Sequence, residues 1–341
     1  MRILVANNAA PFVRGGAELL ADRLVDELRR AGHEVDLLRL PIGNTPAQIL
    51  DGLLAGSLID LVDVDRVIGL KFPAYLIPHR NVVIWLVHQF RQAYDPPPVG
   101  WPRDPSLDPI VSAVRVADRN AFAQAQRLYA ISPMIAERVR RHTGFIADVL
   151  MTPPHAEQQY RTQKAEDFIV ALGRISGGKR QGLAIQAMKH ARPGYRLVVA
   201  GAPDDRATLK NIEREIEESG VSDRVELIPR FITEDEKLDL ISRCIGSVYL
   251  PIDEDSYGYV CYEAAMSSKP SITATDSGGT LTLVDHGRTG LVTAPEPEAL
   301  ATAFDELAMH RDRAIAMGQN ARTLALELDL SWERVIEELT R

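Results

Sequence analysis

An α/β protein built from two doubly wound parallel sheets is predicted by three features of the sequence. Short apolar runs of strand length alternate with amphipathic helical stretches along most of the chain. Helix start and stop signals punctuate those runs. The 341 residues also exceed what one hydrophobic core usually organises. Two domains are therefore expected, 1–160 and 161–321, with a terminal helix at about 322–341 packing back on the first.

In the first domain the strand candidates are Ile3–Ala6, Val35–Leu38, Val67–Leu70, Val82–Val87, Leu128–Ile131 and Val149–Met151. A helix over 17–31 has Leu19, Leu20, Leu24 and Leu28 on one face and Gly32 as its stop. Ser132 and Pro133 open another, through about Arg141. The polar stretch Arg161–Asp167 reads as a linker. Beyond it the strand candidates are Phe168–Leu172, Leu197–Ala200, Val225–Ile228, Ser247–Leu250, Ser271–Ala274 and Leu291–Thr293. Helices are expected at 183–190, at 207–219 with Gly220 as stop, and at 234–244 behind the capping box Thr233-Glu234-Asp235-Glu236. The last helix is capped by Ser331.

Composition narrows the function classes. The chain is 45% hydrophobic and 25% charged, ordinary for a globular protein, and no apolar run reaches the length of a membrane span. With no leader-like segment at its start, the expected location is cytoplasmic. Cys244 and Cys261 are expected as reduced, packed thiols, too few for a disulfide framework or a metal cluster. Residues 1–160 are charge-balanced, so the second half carries the whole net charge of −8. That balance argues against nucleic acid as a partner.

The stretch richest in chemistry is Asp253-Glu254-Asp255-Ser256-Tyr257-Gly258, between a strand and a helix from Tyr259 to about Ser267. A loop at the carboxyl end of a parallel strand is where open sheets hold ligands, and a helix start with a glycine before it suits an anion. Asp255 and Glu263, with seven residues between them, would flank that start. Read alone, the same acids could serve only the helix dipole, with Glu263 a solvated helix residue. Upstream, Gly173-Arg174 and Lys179 frame a glycine loop, and two cations there suit a diphosphate. Arg180 reads as part of a solvated basic turn. Gly15-Gly16 before the first helix is a second candidate phosphate cradle, or simply a flexible turn. His88, with Arg91 and Tyr94, would point from a strand's carboxyl end into a ligand crevice, the alternative being a core histidine. Residues 96–107, dense in proline, are a candidate acceptor-binding loop. Asp63-Val64-Asp65 lies at a strand's entrance and reads as a solvated edge, not a metal site. Neither a dinucleotide fingerprint nor a P-loop is present.

Together these residues resemble the retaining family 4 of nucleotide-sugar-dependent glycosyltransferases. The resemblance is carried by Gly15-Gly16-Ala17-Glu18, Gly32-His33-Glu34-Val35, His88, Gly173-Arg174-Ile175 with Lys179, Gly201, the Asp255–Glu263 pair around Gly258, and Gly278-Gly279. It implies a GT-B fold, two Rossmann-like domains facing a central cleft, and a retaining hexosyl transfer that needs no metal or other cofactor. It also implies roles. The amides of Gly15 and Gly16 would meet the donor diphosphate, which Arg174 and Lys179 would neutralise. Asp255 would meet the donor sugar, Gly258 with the Tyr259 and Val260 amides a phosphate, and Glu263 the ribose. His88 would lie beside the reacting sugar and the base near Arg230-Phe231. The implied partners are a UDP- or GDP-linked sugar and a glycan, lipid-linked or small-molecule acceptor in polysaccharide or glycolipid synthesis, with peripheral contact at the inner membrane face where the acceptor is lipid-linked. Three departures stand out: Asp255 where the family usually has Glu, Thr282 where an acid often follows the glycine pair, and Thr152-Pro153-Pro154 in place of an Asn-Gly. Two alternative functions remain open on the sequence, a nucleotide-sugar epimerase and a non-catalytic nucleotide-sugar-binding partner. The oligomeric state is not indicated.

Overall fold

The computed structural model describes residues 1–9, 15–43, 45–97, 99–154 and 160–341, with only the backbone of Ala9. Ala10–Arg14 of the first glycine loop and Pro98 of the proline-rich loop lie outside the described residues. The chain forms two compact units, Met1–Pro153 with Ser331–Arg341, and Pro154–Leu330.

The first unit is a six-stranded sheet in the order β2-β1-β3-β4-β5-β6, parallel throughout. Its strands are β1 (Arg2–Ala9), β2 (Glu34–Pro41), β3 (Arg66–Lys71), β4 (Val82–His88), β5 (Arg127–Ala130) and β6 (Asp148–Val149). β3 and β4 are apolar on both faces because helices cover both sides of such a sheet. The helices are α1 (Gly16–Arg30), α2 (Pro46–Ser57), α3 (Asp108–Gln124) and α4 (Pro133–Thr143). α4 is capped as expected, the Ser132 hydroxyl accepting from the Ile135 amide at 3.2 Å. Neither α2 nor α3 is among the helices expected from the sequence. α2 hides behind Thr45-Pro46 although a capping box with Gln48 opens it, and α3 opens directly after the proline-rich stretch, with Pro109 in its first turn.

The second unit repeats the plan in the order β12-β11-β10-β7-β8-β9, again all parallel. Its strands are β7 (Phe168–Leu172), β8 (Arg196–Ala200), β9 (Val225–Ile228), β10 (Gly246–Val248), β11 (Ser271–Ala274) and β12 (Gly290–Thr293). The helices are α5 (Gln181–His190), α6 (Arg206–Ser219), α7 (Glu234–Arg243), α8 (Tyr259–Met266), α9 (Pro297–Met309) and α10 (Arg311–Glu327). The Thr233–Glu236 capping box of α7 forms in both directions. Strand order reverses between β7 and β10, so the crevice at their carboxyl ends is this sheet's topological switch point.

Two expectations about the connections need correction. Arg161–Asp167 is no free linker: the Gln163 amide donates to the Ser242 carbonyl at 3.1 Å and that of Glu166 to Arg243 at 2.8 Å. Polar side chains concealed this, because the contacts are made by backbone. Nor does a continuous helix cover 322–341. α10 ends at Glu327 within the second unit, and only α11 (Trp332–Thr340), capped by Ser331, packs in the first. There Arg66 donates to the carbonyls of Leu339 and Arg341, at 2.8 and 3.1 Å. The Tyr129 hydroxyl meets the Glu338 carboxylate at 2.6 Å, and Trp332 packs edge-on to Trp85. Leu339 is fully buried in the first unit's core. Leu339→Ala should therefore destabilise that unit by about 3 kcal/mol, read as a shift in the midpoint of urea unfolding.

Candidate functional site

At the switch point of the second sheet, the turn after β7 supplies Arg174 and Lys179. Arg174 is exposed and donates to the Asp204 carboxylate at 2.7 Å. Lys179 ends a single 3₁₀ turn at Gly177–Lys179, whose Gly178 carbonyl accepts from the Ile252 amide at 2.9 Å, joining this turn to the loop after β10. The Lys179 ammonium meets the Tyr249 hydroxyl at 2.5 Å and pairs with the Glu254 carboxylate. Tyr249 in turn donates to the same Glu254 oxygen at 2.7 Å. A half-buried carboxylate needs a charged partner, and Glu254 has one.

Arg180 departs from expectation. Its backbone is left-handed (φ 53°), and the half-buried side chain is a strap instead of a solvated arm. It donates to the carbonyls of Leu250 and Pro251 and grips both oxygens of Asp276, at 2.8 and 2.6 Å. A planar guanidinium with five N–H donors can grip the carboxylate through two nitrogens while still reaching the carbonyls.

The acidic loop is locked to the loop after β11. Amides of Asp253 and Glu254 donate to the carbonyls of Asp276 and Ser277, and Gly279 donates back to Glu254 at 2.8 Å. A Cβ on Gly279 would stand 2.2 Å from the Ser256 carbonyl oxygen, so only glycine fits. Asp255 is half-buried within this loop, and Tyr257 is fully buried beneath it. Gly258 turns the chain at φ +75° into α8, whose first residues are Tyr259 and Val260, as the sequence predicts.

Glu263 is not a solvated helix residue. It is buried, and its carboxylate accepts from Lys237 of α7 at 2.6 Å. Burial pushes its pKa up, and the Lys237 ammonium opposes that rise. Phe231 is 80% exposed, and neighbouring Arg230 grips Glu236 through both terminal nitrogens. Arg174, Lys179, Asp255, Gly258, Tyr259 and Val260 thus gather around the ends of β7 and β10. Glu263 lies one turn into α8, tied to α7. Phe231 follows β9, on the far side of β8.

In the first unit Gly15 precedes α1, but its amide donates to the Glu18 carboxylate at 2.8 Å, while Gly16 is exposed. His88 ends β4 and its Nδ1 donates to the Gln89 carbonyl at 2.6 Å, a carbonyl being able only to accept. Arg91 and Tyr94 do not reach outward as expected. Arg91 pairs with Asp95 at 2.6 Å, and the Tyr94 hydroxyl turns inward to Asp118 of α3 at 2.9 Å. Asp118 is fully buried and also accepts from Tyr75 at 2.7 Å. An inward carboxylate demands such donors, and nothing in the sequence spacing of Tyr75, Tyr94 and Asp118 announces them.

The two cysteines are free and buried, each thiol pushed up to about 12 chiefly by burial. Among the described residues no group of three or more His, Cys, Asp and Glu is placed to hold a metal ion, and no helix is long and apolar enough to cross a membrane. An apolar cavity of about 470 Å³ opens at the amino-terminal edge of the second sheet, lined by Gln163, Ile245, Lys269 and Pro270. It lies away from the charged loops, at the end where open parallel sheets do not place ligands.

Comparison with known proteins assigns these features to a family. The family model described as glycosyl transferases group 1 matches residues 154–324. The chain belongs to that family. It is similar to the D-inositol 3-phosphate glycosyltransferase of Corynebacterium jeikeium, at 29% identity over 238 residues, covering 68% of this chain and 52% of that protein. It is likewise similar to a GDP-mannose-dependent alpha-(1-6)-phosphatidylinositol monomannoside mannosyltransferase of Mycobacterium tuberculosis, at 29% over 223 residues, 62% of this chain and 55% of that one. A human alpha-1,3/1,6-mannosyltransferase matches at 27% over 188 residues, 51% of this chain and 44% of its own. The chain spans about half the length of the curated relatives it matches. Among solved structures, the sucrose-phosphate synthase of Thermosynechococcus elongatus aligns with a TM-score of 0.77 at 16% identity, covering 100% of this chain and 98% of that one. HepE of Anabaena in complex with UDP-glucose aligns with a TM-score of 0.72 at 18% identity, over 100% and 98%. These likenesses show the fold, two Rossmann-like domains of the GT-B class.

Burial raises the Asp118 carboxyl from an ordinary 3.8 to about 7, against the lowering pull of the Tyr75 and Tyr94 hydroxyls. The folded chain therefore keeps a proton that the unfolded chain releases from about pH 4 upward. This group's contribution to stability should fall as pH rises from about 4 to about 7. Melting temperatures measured across that range should show a flatter pH dependence in Asp118→Asn.

Proposed function

We propose that this chain transfers a sugar from a nucleoside diphosphate sugar to an acceptor hydroxyl, with retention at the anomeric carbon and without a metal. The observation that carries the reading is the gathering of Arg174, Lys179, Asp255 and the α8 start around the switch point of the second sheet, in a member of the group 1 glycosyltransferases. Relatives named for GDP-mannose and inositol phosphate transfer, and a GT-B structure holding UDP-glucose, support the donor class.

In this reading the bond between the anomeric carbon and the diphosphate oxygen breaks, and its electron pair stays on the diphosphate. Arg174, Lys179 and the amides of Tyr259 and Val260 stabilise that developing charge. The acceptor oxygen bonds to the anomeric carbon, and its proton passes to the departing phosphate, so no protein nucleophile is needed. Asp255 meets the donor sugar, and Glu263, oriented by Lys237, the ribose. Gly15, Gly16 and Phe231 are secondary donor contacts in this scheme, with the Gly15 amide first having to leave Glu18. The acceptor side is proposed on the first unit at the carboxyl end of β4, where His88 sits. A lipid-linked or polyol acceptor fits the relatives' names.

The Arg174 side chain is exposed and, among the described residues, pairs with Asp204 alone, so its removal should spare the fold. Arg174→Ala should lower turnover by about 100-fold at an unchanged melting temperature, measured by product formation from UDP- and GDP-sugars with a polyol phosphate acceptor. Near-normal turnover in the folded variant would refute the assignment. Formation of a new sugar isomer from donor alone would instead identify an epimerase.

A further inference from the structure

We propose that Glu254 is an internal counter-anion that occupies Lys179 until a diphosphate displaces it, and so sets which anions the site accepts. The inference rests on Lys179 being the cation that meets the donor's diphosphate.

Three observations carry it. Among the described residues the Lys179 ammonium meets the Tyr249 hydroxyl and the Glu254 carboxylate, both from the strand end and loop after β10. One Glu254 oxygen receives the ammonium and, at 2.7 Å, the hydroxyl, as a phosphate oxygen would in its place. The backbone of Glu254 is fixed on both sides, its amide on Ser277 and its carbonyl on Gly279, so its side chain can swing aside without disturbing the loop. The pair is not sealed in: the Lys179 and Glu254 side chains keep 27% and 17% of their surface exposed. An incoming ligand can reach both.

A carboxylate and a phosphate oxygen cannot share this ammonium without like-charge repulsion. A diphosphate, with more negative charge and more acceptor oxygens, competes for Lys179 better than a single carboxylate does. Neutral and weakly charged ligands do not, so Glu254 acts as a threshold. Asp255 next to it remains for the donor sugar. This separates two acids that the sequence presents side by side: Asp255 serves the sugar and Glu254 the cation.

The test is calorimetric titration of UDP, GDP and inorganic pyrophosphate into the full chain, the last probe being independent of base. Wild type, Glu254→Gln, Lys179→Met and the double variant form a cycle. Glu254→Gln should bind the anions about three- to tenfold tighter, since a partly exposed ion pair no longer has to be broken. Lys179→Met should bind them weaker, and in that background Glu254→Gln should bring no gain. Glu254→Ala, which removes the carboxylate outright, should shift affinity the same way as Glu254→Gln, and it serves if Glu254→Gln folds poorly. Unchanged or weaker binding by folded Glu254→Gln, with Lys179→Met weakened, would overturn the proposal while leaving Lys179 as the phosphate cation. Wild-type affinity in Lys179→Met would remove that assignment and the proposal with it.

Discussion

The close approach of the loops after β10 and β11 is the constraint on which the site depends. Asp253 and Glu254 are hydrogen-bonded to Asp276 and Ser277, and Gly279 to Glu254, at a spacing that leaves no room for a side chain on Gly279. Arg180 straps the same two loops from below by holding Leu250, Pro251 and Asp276. With the acidic loop pinned, Gly258 can set the start of α8, and the turn carrying Lys179 is tied on through Gly178 and Ile252. Loops usually have more freedom than the strands they follow. These have little, because three backbone hydrogen bonds and a guanidinium join them.

Electrostatics around the switch point is an arrangement of matched pairs. Arg174 stands with Asp204, Lys179 with Glu254, Arg180 with Asp276, Arg230 with Glu236 and Lys237 with Glu263. Each pair is neutral, so the excess acid of the second half of the sequence lies on other carboxylates. An anionic ligand at such a site competes with resident carboxylates instead of meeting bare cations, and the pairs differ in how open they are. Arg174 is exposed and Glu263 is buried, so the first can exchange partners and the second is a fixed strut.

Sheet architecture was legible in the sequence because parallel strands buried on both faces read as plain apolar runs, such as Val82–Val87 and Phe168–Leu172. Helix ends were legible where side chains write them, at Ser132, Thr233 and Ser331. α2 and α3 were missed since proline at their openings reads locally as loop. In the site, Arg174, Lys179, Asp255, Gly258 and Glu263 were marked by spacing along the chain. Their partners were not, because Lys237 lies 26 residues from Glu263 and Glu254 lies 75 from Lys179. Such pairings exist only once the sheet order is set. The inward turn of Tyr94 to Asp118 was hidden for the same reason, and Arg180 looked solvated because carbonyl acceptors leave no trace in side-chain identity.

The central claim, that the carboxyl ends of β7 and β10 hold a nucleoside diphosphate, is tested most directly by amide hydrogen exchange with and without saturating UDP or GDP. The account predicts slowed exchange in 173–180, 253–261 and 277–280, with no change around 162–165 and 268–270 at the opposite edge. Protection confined to that opposite edge, beside the apolar cavity lined by Lys269, would contradict it.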